Sequence, residues 1–384
     1  MRQLRIGIIG AGATIGISQA HVRAYSADDR ARLTAVYDVV RSNAEKRAAQ
    51  WGLPGSAVCT SLEDLFSRID LVSICTPNST HVELIVKALE AGKHLLCEKP
   101  LARSWEEANE AVKAAESHPD LVAMVGFNYR DIPALRAMKE LIDAGTLGRV
   151  YTCRIQMGGS RIADPTGVKL EWRMQRALSG SGSLADFGCH VIDIVDHLLG
   201  PTQGKIRRVH AFAETFITRR KREAGGAAAG NGGTAPQNAA AGAPGDSGAV
   251  TNDDSAVLSA RTDGGTLISS IVSRVGMPRF MIELVGEGGM ALFSGNHTEL
   301  EVWQKPFGGP YPNDGRKTVT VEARLTGRDE HRGLVQDLLT AAENGGAYER
   351  GLRYGQYVQG ILESFERSLE SGGAVTVGAD GRPA

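Results

Sequence analysis

The chain has 384 residues, 43 Lys and Arg against 44 Asp and Glu, and a formal net charge of −1. Hydrophobic residues make up 42% and charged residues 23%, a globular composition long enough for two or more domains. The balance of charge argues against a nucleic-acid partner, and no apolar run approaches the length that spans a bilayer.

The first predicted strand, Leu4–Ile9, runs into Gly10-Ala11-Gly12-Ala13-Thr14-Ile15-Gly16. Gly10 and Gly12 suit close approach of backbone to a pyrophosphate, with the N-terminus of the next helix, Ile15–Ser26, facing the phosphates. Gly16 falls one residue later than the regular fingerprint, so either Ile15 takes the third slot or the turn carries an extra residue. A second strand, Leu33–Tyr37, ends at Asp38, which can accept both hydroxyls of an adenosine ribose and so favours NAD. Arg41, three residues on, is placed to meet a 2′-phosphate and keeps NADP open. Capping the next helix is the plainer use of Asp38.

Helices follow at Asn43–Trp51 and Leu62–Phe66, the first stopped by Gly52-Leu53-Pro54-Gly55. The strand Leu71–Cys75 then leads to Thr76-Pro77-Asn78 and the helix His81–Glu90. Asn78 can hydrogen-bond a ribose or amide group, or cap that helix. The strand His94–Cys97 is followed by Glu98-Lys99-Pro100. At the carboxyl edge of a sheet, Lys99 can donate charge-assisted hydrogen bonds to a substrate oxygen, and Pro100 permits a rigid or cis connection that aims it. Ser104 caps the helix Trp105–Glu116, with Glu107 completing a capping box. With Val122–Phe127 as the fifth strand, residues 1–127 predict a parallel sheet covered by helices on both faces.

Beyond Arg130 the rhythm changes. One helix, Pro133–Ala144, precedes strand-like runs near Val150–Gln156, Val209–Ile217, Ala256–Ala260, Thr266–Ser273, Arg279–Val285, Met290–Phe293, Leu300–Trp303 and Val319–Ala323. Too few helices separate them for parallel crossovers, so 128–384 predicts a large, mostly antiparallel open sheet with helices on one face. Gly327–Asn344 and Tyr354–Leu369 supply the last two helices. Residues 223–254 are dominated by Gly, Ala, Asn, Pro, Thr and Ser and predict a disordered, low-complexity hairpin expansion. The neighbouring run Arg219-Arg220-Lys221-Arg222 reads as a solvated loop edge.

In Gly182-Ser183-Leu184-Ala185-Asp186-Phe187-Gly188-Cys189-His190, a helical register puts Asp186 and His190 on one face. His190 is suited to moving a hydroxyl proton and Asp186 to orienting it or binding a neighbouring hydroxyl. Asp193 and His197 extend that face, but four ligands from one helix enclose an ion poorly, so no metal is expected. The five cysteines form no CxxC pair, and charges follow Met1 at once. Buried thiols in a reducing, cytoplasmic setting, with no signal peptide, are expected.

Taken together, Gly7-Ile8-Ile9-Gly10-Ala11-Gly12, Cys75-Thr76-Pro77-Asn78 with His81, Gly92–Leu101 around Glu98-Lys99-Pro100, Gly126-Phe127-Asn128-Tyr129-Arg130 and Leu184–His190 resemble the Gfo/Idh/MocA family of NAD(P)-dependent oxidoreductases. The Glu-Lys-Pro segment is the specific part of that likeness, and only 223–254 falls outside it. The resemblance implies an N-terminal Rossmann domain (1–127) and a C-terminal α/β domain (128–384) whose open sheet builds homodimers or homotetramers. It places Ala13, Thr14, Thr76, Pro77, Asn78, His81 and Glu98 with the glycines along the cofactor. Lys99 falls by the nicotinamide and the reacting carbon, with Asp186 and His190 as the proton-handling pair. Arg130, Trp172 and Arg173, and Lys169 nearby, fall where relatives line the substrate cleft. The implied reaction is reversible oxidation of a secondary ring hydroxyl of a sugar, sugar derivative or cyclitol. The same relay serves an NADPH-dependent carbonyl reductase. A dinucleotide-binding sensor without turnover would lack Lys99, Asp186 or His190, and this chain keeps all three.

Overall fold

Five short strands, β1 (Leu4–Ile9), β2 (Ala31–Tyr37), β3 (Leu71–Ile74), β4 (His94–Cys97) and β5 (Ala123–Val125), pair in parallel in the order β2-β1-β3-β4-β5. The computed structural model describes residues 3–12, 16–222, 246–276, 278–295, 299–304, 316–320, 330–345 and 348–384. Every residue of β3 and β5 is buried, as a parallel sheet covered on both faces requires. The cover comes from α1 (Ile17–Ser26), α2 (Arg41–Gln50), α3 (Leu62–Arg68), α4 (His81–Glu90) and α5 (Trp105–Glu116). Ser104 caps α5, its Oγ accepting from Glu107 N at 3.1 Å. The Glu107 carboxylate reaches back to Arg103 N at 3.0 Å instead of to Ser104, so the expected box closes one residue early.

After α6 (Pro133–Asp143) the chain enters β6 (Val150–Gly158), then three helices: α7 (Arg176–Ser179), α8 (Ser183–Asp186) and α9 (Gly188–Gln203). Strands β7 (Ile206–Glu214), β8 (Arg219–Lys221), β9 (Ser247–Ala249), β10 (Ser255–Thr262) and β11 (Leu267–Ser273) follow. They continue with β12 (Arg279–Gly286), β13 (Gly289–Ser294), β14 (Glu299–Gln304) and β15 (Arg316–Thr320). The C-terminal elements are α10 (Glu330–Asn344), α11 (Leu352–Ser371) and β16 (Val375–Thr376).

Nine of these strands form one sheet in the order β15-β14-β13-β12-β6-β11-β10-β7-β16. Pairing is antiparallel everywhere except between β11 and β6. Strict alternation along β10 buries Ala256, Leu258 and Ala260 and turns Val257, Ser259 and Arg261 outward. One face is therefore core and the other open.

Two placements depart from the sequence reading. Helix α10 packs Leu334, Val335, Leu338 and Leu339 against Ile6, Ile8, Val22 and Tyr25, so the C-terminal chain completes the core of the first unit. An amphipathic pattern announces a helix but not which sheet it covers, which is why 128–384 reads as one unit. Of the predicted 223–254 expansion, 223–245 lie outside the described residues, but 246–254 are part of the fold. There β9 pairs with β8, and Asn252 and Asp254 are buried. No helix among the described residues is long and apolar enough to cross a membrane.

Leu338 is fully buried against the first sheet. Leu338→Ala should cost about 2–5 kcal/mol of unfolding free energy in urea titrations. A change below half a kcal/mol would show that α10 is not part of that core.

Candidate active site

The glycine turn is shaped by close approach. Gly10 sits at φ +93°, and a Cβ there would lie 2.6 Å from the Cys75 carbonyl oxygen, so only glycine lets the ends of β1 and β3 close together. Asp38, at the end of β2, accepts from Ala11 N at 2.8 Å and from Val40 N at 2.9 Å. Arg47 of α2 holds the other side, donating to the Ala11 and Gly12 carbonyls at 3.3 Å each. Ala13, Thr14 and Ile15 lie outside the described residues. Gly16 is the N-cap of α1, in the left-handed region.

Across a small cavity from Gly10 and Gly12 stand Thr76 and Pro77, with Trp172 and Arg173 closing it from the second unit. The Arg173 guanidinium lies 4.1 Å from the Trp172 ring centroid, and its Nη1 is buried without a hydrogen-bond partner. Burial pushes its pKa down to about 10. An orphaned buried cation beside a glycine turn fits a bound dinucleotide, whose pyrophosphate would satisfy it.

The reacting end lies next door, in an open cleft with about 600 Å³ of atom-free space, its mouth included. Lys99 enters from the end of β4, across a cis Lys99–Pro100 bond. Its Nζ donates to Asp186 Oδ1 at 2.8 Å and to the Asp186 carbonyl at 3.0 Å. Burial alone would lower the lysine's pKa and raise the aspartate's, but each partner's opposite charge outweighs it. Lys99 is held above its ordinary value and Asp186 below. Both are charged at neutral pH, with the carboxylate side chain still 31% exposed to the cleft.

Asp186 ends α8, and a break at Phe187 separates it from α9, which carries His190. The single helix expected over this stretch is therefore two. The first is anchored by Asp253, whose carboxylate accepts from Gly182 N (2.6 Å), Ser183 Oγ (2.6 Å) and Leu184 N (2.9 Å). His190 is 3% exposed and stacks on Tyr129, with ring centroids 4.2 Å apart and planes 12° apart. Burial, reinforced by Lys99, holds its pKa well below the ordinary value, so the imidazole is neutral.

Beneath Lys99, Glu98 accepts from His21 Nε2 at 2.8 Å, and Ser73 Oγ meets the other nitrogen at 3.1 Å. Burial would lower the pKa of His21, but Cys75 and Glu98 carry it up to about 10. His331 brings the three potential ligand atoms within 4.8 Å of one another. The imidazolium–carboxylate pair already satisfies Glu98 without an ion. Nor does the expected α9 row offer a metal site, because Lys99 takes Asp186 and Arg130 takes Asp193.

The structure gathers Thr76, Asn78, Glu98, Lys99, Trp172, Arg173 and Asp186 around one cleft. Asn78 caps no helix; its Nδ2 donates to the Ser179 carbonyl at 2.8 Å. His81 is buried behind the cleft, its ring nitrogens against the Thr76 and Pro100 carbonyls at 3.0 and 2.9 Å, so it braces two loops. Arg41 is exposed and paired with Glu45 at 2.8 Å. Lys169 is exposed and lines none of the cleft, and Arg130 is buried against Asp193. Sequence reasoning missed Arg274, which lines the cleft while donating to the Arg173 carbonyl at 2.6 Å. It also missed Asp253, which sits in the stretch assigned to the disordered expansion. No local pattern marks either one.

Residues 4–127 match the family described as "Oxidoreductase family, NAD-binding Rossmann fold", and residues 135–292 match "GFO/IDH/MocA C-terminal domain". The chain belongs to the Gfo/Idh/MocA family. Among its relatives, levoglucosan dehydrogenase of Pseudarthrobacter phenanthrenivorans is 37% identical over 240 residues, 59% of this chain and 58% of that one. Inositol 2-dehydrogenase of Rhizobium meliloti is 34% identical over 197 residues, 51% of this chain and 55% of that one. The chain thus matches little more than half the length of these curated relatives. A levoglucosan dehydrogenase structure in complex with NADH and L-sorbose superposes with a TM-score of 0.85 at 26% identity, covering 98% of this chain and 100% of that one. The α/β fold, Rossmann sheet plus mostly antiparallel sheet, is that of Gfo/Idh/MocA dehydrogenases.

Gly10→Ala introduces both a strained φ and a clash with the Cys75 carbonyl. It should weaken NAD binding by about 10–100-fold, read by quenching of tryptophan fluorescence or by calorimetry. Unchanged affinity would remove the turn from the cofactor site.

Proposed function

We propose that this protein is an NAD-dependent dehydrogenase that reversibly oxidises a secondary ring hydroxyl of a sugar, sugar derivative or cyclitol. The observation that carries the reading is the Lys99–Asp186 pair, 2.8 Å apart at the end of β4 and open to the cleft. The bound dinucleotide supplies the hydride acceptor. Lys99 donates to the substrate oxygen as negative charge develops there, and the neutral His190 imidazole takes the hydroxyl proton. Asp186 keeps the ammonium aimed and offers its exposed oxygen to a neighbouring hydroxyl. Relatives named for levoglucosan and inositol support a polyol substrate.

NAD is preferred over NADP because Asp38 ends β2, where the ribose hydroxyls of a Rossmann ligand lie, while Arg41 is engaged with Glu45. A homo-oligomer, a dimer or tetramer, is proposed from the open sheet face. There Phe212, Val257 and Ile271 form one cross-strand row and are 65%, 44% and 51% exposed. Five free thiols, four of them buried, support a reducing, cytoplasmic setting.

With NAD and a panel of sugars and cyclitols, Lys99→Ala and His190→Gln should each lower kcat/KM by about 10²–10⁴-fold and leave NAD affinity within about twofold. Full activity in both would end the assignment. The active imidazole is the neutral form, and its pKa is depressed. The acid limb of kcat/KM therefore lies below the ordinary histidine value of 6.5, with activity kept as pH falls past it. A limb at or above 6.5 would take His190 out of the base role. Phe212→Glu should halve, or more, the mass seen by light scattering, and an unchanged mass would place the interface elsewhere.

A further inference from the structure

We propose that Arg130 and Asp193 are positioning residues for His190: their ion pair bolts the turn that carries Tyr129 onto the helix that carries the imidazole. This rests on the dehydrogenase reading above, in which His190 moves the proton.

The imidazole has no hydrogen bond to hold it at Nδ1, which is buried without a partner. Aromatic packing orients it instead. Tyr129 stacks on one face, and Phe127 meets the ring edge-on at 6.5 Å and 82°. Tyr129 belongs to the single helical turn Asn128–Asp131, and the next residue in that turn is Arg130. Arg130 donates Nε (2.9 Å) and Nη2 (2.6 Å) to Asp193 Oδ1, and Asp193 lies one turn beyond His190 on α9. Two neighbouring residues of the turn thus meet two residues of α9 one turn apart. One contact sets the distance between the pieces; two fix their rotation as well.

Both side chains are buried, 7% and 0% exposed, and Arg130 Nη1 also donates to the exposed Glu349 at 3.0 Å, so the guanidinium is held from two sides. The Arg130 guanidinium also lies 4.7 Å from the ring centroid of Tyr354, which meets Phe127 edge-on at 5.7 Å and ties the clamp to the same aromatic group. From the other side Arg350 holds Asp131, the last residue of the turn, at 2.6 Å. Arg130 lines a second open cavity, with about 1270 Å³ of atom-free space, mouth included, together with Arg136, His197 and Arg350, and not the cleft that holds Lys99.

The groups that bear on the imidazole are Tyr129 from the turn, Lys99 and Glu98 from the end of β4, Asp186 from α8 and His331 from α10. Arg130 and Asp193 themselves carry charge one turn away: losing the carboxylate alone lowers the His190 pKa, and the paired variant removes both signs together. An upward shift of the His190 titration therefore reports loosened packing and entering water, which raises a pKa depressed by burial.

The test uses Asp193→Asn, the paired Arg130→Met/Asp193→Leu, which leaves no lone buried charge, and Tyr129→Leu, which removes the stack and keeps the ion pair. His190 is titrated by NMR on histidine-labelled protein, assigned with His190→Gln, and kcat and KM are followed against pH. Each variant should bind NAD within about twofold of the parent, lose about 10–100-fold in kcat, and show the His190 midpoint and the acid limb moving up by about one pH unit. An unmoved His190 midpoint in the variants overturns the proposal, whatever happens to thermal stability. A rise in sugar KM alone, with kcat and the limb unchanged, overturns it in favour of direct substrate contact. If the ion-pair variants do not fold, an unmoved midpoint in Tyr129→Leu is still decisive. If the parent oxidises no sugar or cyclitol, the dehydrogenase reading falls, while the NMR titration still decides the positioning role.

Discussion

The contact on which the site depends is the one between Lys99 and Asp186. It joins the end of a parallel strand in the first unit to the end of a four-residue helix in the second, 87 positions later. Burial opposes both ionised forms, and the attraction between them at 2.8 Å, helped by Glu98 for the lysine and by Arg173 and Arg274 for the aspartate, reverses the balance for each. Docking therefore buries the ammonium and supplies the carboxylate that keeps it charged in the same step. The structure around it keeps that docking. Asp253 anchors the start of α8, Asn78 ties the Thr76 loop to the Ser179 carbonyl, and α10 crosses back to fill the first core.

Much of this was legible in the chain. Strands β1 and β4 and helices α4 and α5 fall where apolar runs, caps and breaks predict them, because each is decided by residues within its own length. The Glu-Lys-Pro segment at the end of β4 was legible for the same reason, whereas the single helix read over Asp186 and His190 is broken at Phe187. Arg130 shows the limit. An arginine beside a candidate cleft reads as a ligand for substrate, but its direction is set by Asp193, a partner 63 residues away that no local pattern names. Asp253 shows the same limit from the other side. Composition assigned it to a disordered expansion, and three hydrogen bonds to the start of α8 hold it in the fold.

The sheet of the second unit carries two jobs on its two faces. Its inner face supplies the wall against which α9 and α11 pack, and the position of His190 follows from that packing. Its outer face leaves a row of Phe, Val and Ile in the open, where polar residues would serve an isolated chain better.

The electrostatics of the cleft bear on the base role proposed for His190. Lys99, Arg173 and Arg274 bring positive charge to the cleft against the carboxylates of Asp186 and Glu98. Burial first, and the neighbouring Lys99 charge second, disfavour a protonated imidazole and hold the pKa of His190 low. On the proposed reading the same ammonium, donating to the reacting hydroxyl, would stabilise the alkoxide form and lower the pKa of the alcohol. A weakly basic imidazole does not deprotonate a resting alcohol; on the proposed reading it takes the proton as hydride departs and the oxygen becomes strongly acidic, and it gives the proton back readily when the carbonyl is reduced.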